Sequence, residues 1–135
     1  MPSHQRLHAI AQFLPTFEAS EFEAASSHVS QGDESATPWE VPSEVVQKFV
    51  EAAYEHGWVR SGFKWGEWQQ TDEAIQLLRD PEAISSADAE QLARVLTVVI
   101  RRDRFNEGSL IYDFRSGLIT RIVRRAAVLA GEGST

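Results

Sequence analysis

The sequence contains no cysteine, which excludes disulfide bonds, thiolate metal ligands and a cysteine nucleophile. It has no apolar run near the roughly 20 residues that a membrane-spanning helix needs. Residues 1–11 also lack the apolar core of a secretory signal. We therefore expect a cytoplasmic protein that does not contact a membrane and whose stability comes from packing.

The composition is that of a globular protein, because 42% of the 135 residues are hydrophobic and 24% are charged. A chain of this length can bury one core, so we predict a single domain over residues 1–135. Residues 26–38 are polar and have no hydrophobic period, which predicts a loop. Residues 131–135 are predicted to be a frayed tail.

Hydrophobic residues recur mainly at spacings of three and four, which predicts an all-α fold, a compact bundle of five or six helices. A short β pair between residues 39–41 and residues 58–64 is compatible with the pattern. Pro15 and Pro81 are predicted to end helices. The predicted N-caps are Ser43, Thr71, Ser85 or Ser86, and Ser109. The predicted helices cover residues 4–14, 44–56, 72–79, 87–104, 110–115 and 118–130.

The longest predicted helix has one apolar face and one largely basic face. The apolar face holds Leu92, Val95, Leu96 and Val99, and the opposite face holds Glu90, Arg94, Thr97, Arg101 and Arg104. Asp103 falls on the apolar face at 100° per residue, so its carboxylate must find donors there. The two candidate donors are an arginine of the last helix and the free backbone amides that open the next helix.

The charge is divided unevenly along the chain. Residues 1–93 hold 5 basic and 16 acidic side chains, whereas residues 94–135 hold 8 and 4. Nearly all the basic residues are arginines, which bind carboxylate and phosphate oxygens in bidentate geometry. The candidate anion-binding or partner-binding residues are Arg94, Arg121, Arg124 and Arg125. The basic surface either meets an acidic partner or is covered by the acidic half of the chain.

Trp58, Trp65 and Trp68 lie close to three glycines and form a candidate aromatic lid. Such a lid could cover the core, stack on a small ligand or form a protein interface.

Motifs for catalysis or cofactor binding are absent from the sequence. It has no G-x-S-x-G, G-x-G-x-x-G or P-loop pattern. His4 and His8 have a metal-ligand spacing, but no third ligand accompanies them. We predict no metal and no cofactor. Glu107, beside Arg104, is the best single candidate for an acid, although a carboxylate held by an arginine suits a fixed corner better than proton transfer.

The stretch from Gly57 to Arg125 resembles an uncharacterised bacterial family, a domain of unknown function of similar length. The resemblance is carried by an Ala-Asp pair, a Leu-x-Arg-x-Leu-Thr run, an Arg-Phe-x-Glu-Gly-x-Leu string and a later Gly-x-Ile. The resemblance implies that this chain has the fold of that family. No established activity comes with it. The residues it makes central are Arg101, Arg104, Phe105, Glu107, Gly108 and Gly117. Members of that family often carry Cys, His and His where this chain has Asn106, Ser109 and Leu118.

Three functional hypotheses follow. The first is a protein that binds another protein or itself, as a homodimer, without catalysis; in it Asp103 and Glu107 fix the corner between the last helices. The second is a nucleic-acid-binding regulator that uses the arginine-rich helices. The third is an enzyme or ligand-binding protein with a pocket near Glu107 and Trp65.

Overall fold

The computed structural model describes residues 4–28, 39–103 and 108–131, in which the chain forms nine helices and one two-stranded ribbon. The first helices and the two strands are α1 (His4–Ala11), α2 (Leu14–Glu18), β1 (Ala25–His28), β2 (Trp39–Pro42) and α3 (Glu44–Glu55). The others are α4 (Trp65–Trp68), α5 (Asp72–Arg79), α6 (Pro81–Ser85), α7 (Ala89–Arg102), α8 (Ser109–Arg115) and α9 (Leu118–Leu129). The helical fold class is confirmed, with more helices than the five or six predicted.

Two of the additional helices have in their first turn a proline that was predicted only as a helix end. Pro15 lies in the first turn of α2, and Pro81 is the first residue of α6. A proline in the first turn costs no hydrogen bond, because the amides there have no partner within the helix. At α6 the carboxylate of Asp80 accepts a hydrogen bond from Glu82 N at 3.0 Å. Each proline therefore lies in the first turn of a new helix.

The predicted β pair is wrong in its partner. Residues 39–42 form an antiparallel ribbon with β1, in which Ala25 is opposite Pro42 and His28 is opposite Trp39. Residues 58–64 contain no strand. Residues 26–28, which were predicted to belong to a loop, are part of β1. The rest of the predicted loop, residues 29–38, and residues 132–135 of the predicted tail lie outside the described residues. The closer segment in sequence is the one that pairs, as is usual for antiparallel strands.

The cap of α7 is Asp88, and the prediction of Ser85 or Ser86 is wrong. Asp88 Oδ1 accepts from Gln91 N at 2.8 Å, and Gln91 Oε1 accepts from Asp88 N at 3.0 Å. This reciprocal arrangement is a capping box. The serines are unavailable as caps because Ser85 ends α6 and Ser86 follows it. By contrast, the predicted cap Thr71 is confirmed by its bond from Ala74 N at 3.3 Å.

Helix α7 is buried on nearly all sides, so its division into an apolar and a polar face holds only at the ends. Thr97, predicted on the polar face, is 0% exposed. Its Oγ1 accepts from Arg60 N at 2.9 Å and donates to Ala93 O at 2.8 Å. The loop after α3 thus covers the expected polar face, and the threonine hydroxyl satisfies the polar atoms buried there.

Five phenylalanines connect α8 with the N-terminal half of the chain. They are Phe13, Phe17, Phe22, Phe49 and Phe114. The ring of Phe114 lies 5.1 Å from that of Phe17 and 5.9 Å from that of Phe49, in edge-to-face geometry. Because Phe114 points into this cluster, Tyr112, two residues earlier, faces outward and is 70% exposed.

Candidate functional site

The corner between α7 and α8 is closed by Asp103. Its Oδ1 accepts a hydrogen bond from Leu110 N at 3.0 Å, in the first turn of α8. Of the two expected kinds of donor, a backbone amide of the next helix is the one observed. Ser109 is not the cap of α8, because the capping position belongs to Gly108, whose φ of +94° strongly favours glycine. A carboxylate also complements the positive end of the helix dipole.

One turn further, Asp113 forms a buried ion pair with Arg102. Asp113 is 2% exposed, and Arg102 Nη2 lies 2.7 and 2.8 Å from its two carboxylate oxygens. Burial raises the pKa of the Asp113 carboxyl above its ordinary value of 3.8. The hydrogen bonds and charge of Arg102 lower that pKa and only partly offset the rise, and the charge of Asp103 adds to it. Its two hydrogen bonds join the end of α7 to α8.

A groove of about 490 Å³ opens beside this ion pair, and we call it the arginine groove. Its walls come from α5, the end of α7, α8 and the start of α9. The lining residues are Gln69, Ile75, Leu78, Arg79, Arg102, Tyr112, Asp113, Ser116, Leu118 and Arg121.

The charge of the arginine groove is positive and only partly neutralised. Across residues 4–28, 39–103 and 108–131, no carboxylate forms an ion pair with Arg79 or Arg121. Arg121 Nη1 has one long contact, 3.5 Å from Ser116 O, and its Nε is buried without a hydrogen-bond partner. The carboxylate of Asp113 is committed to Arg102. An anion entering this groove would therefore meet two available guanidinium groups.

The same groove carries exposed apolar surface. Ile75 is 40% exposed and Tyr112 is 70% exposed. Ile75 lies at the groove, whereas Ala74 and Leu77 on the same helix are buried. An open wall with an aromatic ring, an aliphatic side chain and free arginines has the composition of a protein-binding surface.

The four arginines predicted for anion or partner binding have different hydrogen-bond and ion-pair partners. Arg94 Nη1 lies 3.2 Å from Glu73 Oε1, and Arg124 Nη2 lies 2.7 Å from Glu18 Oε2. Arg125 Nε donates to the backbone carbonyl of Ala87 at 2.7 Å. Arg94 and Arg124 thus pair with carboxylates of the acidic half of the chain.

Arg121 is the predicted arginine that lies in the arginine groove. Arg101 forms no ion pair with any described residue and does not line the groove. Arg104, Phe105 and Glu107 lie outside the described residues.

The three tryptophans of the predicted lid have separate surroundings. Trp58 is fully buried, and its Nε1 donates to Arg6 O at 2.9 Å. Trp68 is nearly buried and donates to Glu73 Oε1 at 2.8 Å, whereas Trp65 is half-buried at the start of α4. None of the three lines the arginine groove.

The pattern of the sequence contained signals for two residues that were missed. Arg102 follows Val95 by seven positions and Val99 by three, which continues the buried face of α7. Asp113 lies between Leu110 and Phe114 on the apolar side of α8. A cation and an anion that both interrupt apolar faces of consecutive helices are candidates for pairing, because neither could be buried alone. Arg79 and Tyr112 carry no such signal.

The described residues show no metal-binding cluster and no membrane-spanning helix. Within these ranges, no three His, Asp or Glu side chains come together as potential ligands of a metal ion. Nor is any helix there both long enough and apolar enough to cross a bilayer.

The geometry defines a small, mostly helical domain with a buried ion pair under a cationic and apolar groove. The chain belongs to a family of unknown function: the model described as "Family of unknown function (DUF6508)" matches residues 2–132. This match confirms the resemblance to such a family, and its description names no activity. The comparisons with curated proteins and with solved structures gave no match.

Proposed function

We propose that this domain is a non-catalytic binding module that holds a segment of a partner protein in the arginine groove. The observation that supports this most directly is the meeting of unpaired arginines with exposed apolar side chains. Arg79 and Arg121 line the same groove as Ile75 and Tyr112. Elsewhere in the described structure Arg60, Arg94 and Arg124 are neutralised by carboxylates.

A bound segment would gain from both features of the groove. Burial of an apolar side chain against Ile75 and Tyr112 supplies hydrophobic free energy. A carboxylate placed between Arg79 and Arg121 would relieve the repulsion between two cations in one groove. Tyrosine and arginine are also the residue types that contribute most to binding in known interfaces.

A symmetric homodimer through the same groove is the less favourable use of it. Such an interface places the same surface patch of both copies against each other. Two grooves of the same positive charge would then meet, at a cost in repulsion. The proposal therefore assigns the groove to a partner that presents acidic side chains.

The charge distribution also favours a protein over a nucleic acid. Arg94 and Arg124, on the two helices that such a regulator would use, are paired with Glu73 and Glu18. The third hypothesis, a pocket near Glu107 and Trp65, has no support in the described residues, because Glu107 lies outside them and Trp65 does not line the groove.

The test is an unbiased peptide selection with a groove variant as the matched control. A phage library of random 12-residue peptides would be selected on the wild-type domain and on the double variant Ile75→Ser, Tyr112→Ser. Both side chains are well exposed, so the variant should keep the circular dichroism spectrum and melting temperature of the wild type. We expect peptides that bind the wild type and lose binding to the variant. Peptides that bind both proteins equally, or a selection that enriches none, would contradict the proposal.

A further inference from the structure

A second, smaller groove adjoins the arginine groove. Its volume is about 140 Å³, and it lies between α6 and the outer side of α9. Its lining residues are Pro81, Ser85, Arg121, Arg124, Arg125 and Val128. Arg121 belongs to both grooves, so the two meet at this residue.

Apolar side chains lie on both sides of this junction. The described residues expose four large hydrophobic side chains, those of Tyr54, Ile75, Tyr112 and Val128. Ile75 and Tyr112 line the arginine groove, and Val128, which is 47% exposed, lines the smaller one. Three of the four exposed apolar side chains therefore flank one arginine that has no acidic partner.

The geometry points to an extended, acidic peptide segment as the occupant of both grooves, a step that rests on the proposed function. We infer that a carboxylate of this segment binds Arg121 at the junction, while an apolar side chain on either side enters each groove. The smaller groove has room for about one side chain, which excludes a helix laid across it. In an extended chain, every second side chain faces the same way. The expected pattern is thus apolar, any residue, acidic, any residue, apolar.

Charge complementarity is the reason for choosing an acidic occupant. The walls of the two grooves carry Arg79, Arg102, Arg121, Arg124 and Arg125 against one acidic residue, the buried Asp113. Arg102 and Arg124 are already paired with carboxylates, and Arg125 donates to a carbonyl. Arg79 and Arg121 remain for the peptide, and arginine binds carboxylates in a planar, two-point geometry.

The test uses synthetic peptides in fluorescence anisotropy. The probe is a fluorescein-labelled 12-residue peptide with the core Leu-Ser-Glu-Ser-Leu, flanked by glycine and serine. A second set widens the leucine separation to six and eight residues. Matched peptides carry glutamine for the glutamate or serine for either leucine. We expect the glutamate and both leucines to be required for the tightest binding.

Substitutions in the protein locate the peptide. Arg121→Gln should weaken binding by about tenfold, which corresponds to the loss of one charge-assisted contact. Val128→Ser and Tyr112→Ser should each weaken it by a few fold, since each removes apolar contact area. Lys48→Gln is the control, because it removes one positive charge from an exposed position on α3 that lines neither groove. It should leave the affinity unchanged.

The outcomes separate this inference from the proposed function. If Tyr112→Ser weakens binding and Val128→Ser does not, the peptide occupies the arginine groove alone; the inference fails and the proposed function stands. The inference also fails if the glutamine peptide binds as tightly as the glutamate peptide. A duplex DNA that displaces the peptide and loses affinity equally in Arg121→Gln would overturn both.

Discussion

The charged side chains at the two ends of helix α5 differ in whether the described structure gives them a partner. At its start, Glu73 accepts hydrogen bonds from Trp68 Nε1 at 2.8 Å, Arg94 Nη1 at 3.2 Å and Gln91 Nε2 at 3.4 Å. We call these four residues the Glu73 network. At its end, Arg79 faces the arginine groove and has no acidic partner among the described residues.

This difference separates charge that holds the fold from charge that is available for binding. A guanidinium already paired with a carboxylate has its strongest donors occupied, and a ligand would have to displace the carboxylate. An unpaired guanidinium loses only water when a carboxylate arrives. The Glu73 network should therefore affect stability, and Arg79 and Arg121 should affect binding.

The largest expected effect is at the floor of the arginine groove. Asp113→Ala should lower the free energy of unfolding by about 3 kcal/mol, because it leaves Arg102 partly buried without its partner. Urea denaturation measures this change. Glu51→Ala, at an exposed position in the middle of α3, is the control and should change the value by less than about 0.5 kcal/mol. A loss at Asp113 as small as that of the control would show that the pair does not join α7 to α8.

A smaller effect compares the paired carboxylate at the start of α5 with the unpaired Arg121 on α9. Glu73→Ala should cost about 1 kcal/mol, because it leaves the Trp68 indole without an acceptor and removes a half-exposed ion pair. Arg121→Gln should change stability by less than about 0.5 kcal/mol. Thermal and urea unfolding of both variants give the values. Equal losses of stability in Glu73→Ala and Arg121→Gln would contradict the distinction between charge that holds the fold and charge that is available for binding.

The smallest effect is a pair of pH dependences with opposite signs. The hydrogen bond from Trp68 lowers the pKa of Glu73 below its ordinary value of 4.5, with further lowering by Gln91 and Arg94 against the opposing effect of burial. Its contribution to stability is therefore present above pH 4.5 and is lost as the pH falls through the lowered pKa. The contribution of Asp113, whose pKa is raised, is fully present below pH 3.8 and is lost as the pH rises through the raised pKa.

Unfolding free energies from below pH 3.8 to neutrality would check both signs. The difference between wild type and Glu73→Gln should grow in favour of the wild type as the pH rises, and the difference between wild type and Asp113→Asn should shrink. Two differences that change in the same direction would contradict this assignment.

The helices were predictable because their apolar periodicity is local. Helix α9 extends over Leu118–Leu129 and was predicted over residues 118–130. Helix α5 has the predicted cap, Thr71, and the predicted ends. The cap of α7 was missed because Ser85, Ser86 and Asp88 are all residue types that can cap a helix. Ser85 and Ser86 form the end of α6, so Asp88 is the residue that caps α7.

The candidate site was only partly predictable, because it depends on contacts between distant segments. The sequence indicated that the Asp103 carboxylate points inward and needs donors, with an arginine of the last helix and the amides of the next helix as the two candidates. It could not indicate that the loop after α3 would bury Thr97, or that α5 would turn Ile75 outward. Whether an arginine is paired depends on which acidic residue the fold brings near it. Arg124 and Arg121 look alike in the sequence, yet only Arg124 meets Glu18.

The turn between α8 and α9 also bears on the entropy of binding. Gly117 has a φ of +88°, and a side chain built on it would come within 3.1 Å of Arg121 Nη1. The guanidinium therefore folds back over the glycine, near the carbonyl of Ser116. An arginine side chain has about 2 kcal/mol of rotamer entropy to lose. Folding has already restricted this one, so a peptide that binds Arg121 would meet a preorganised donor and lose less affinity to ordering it.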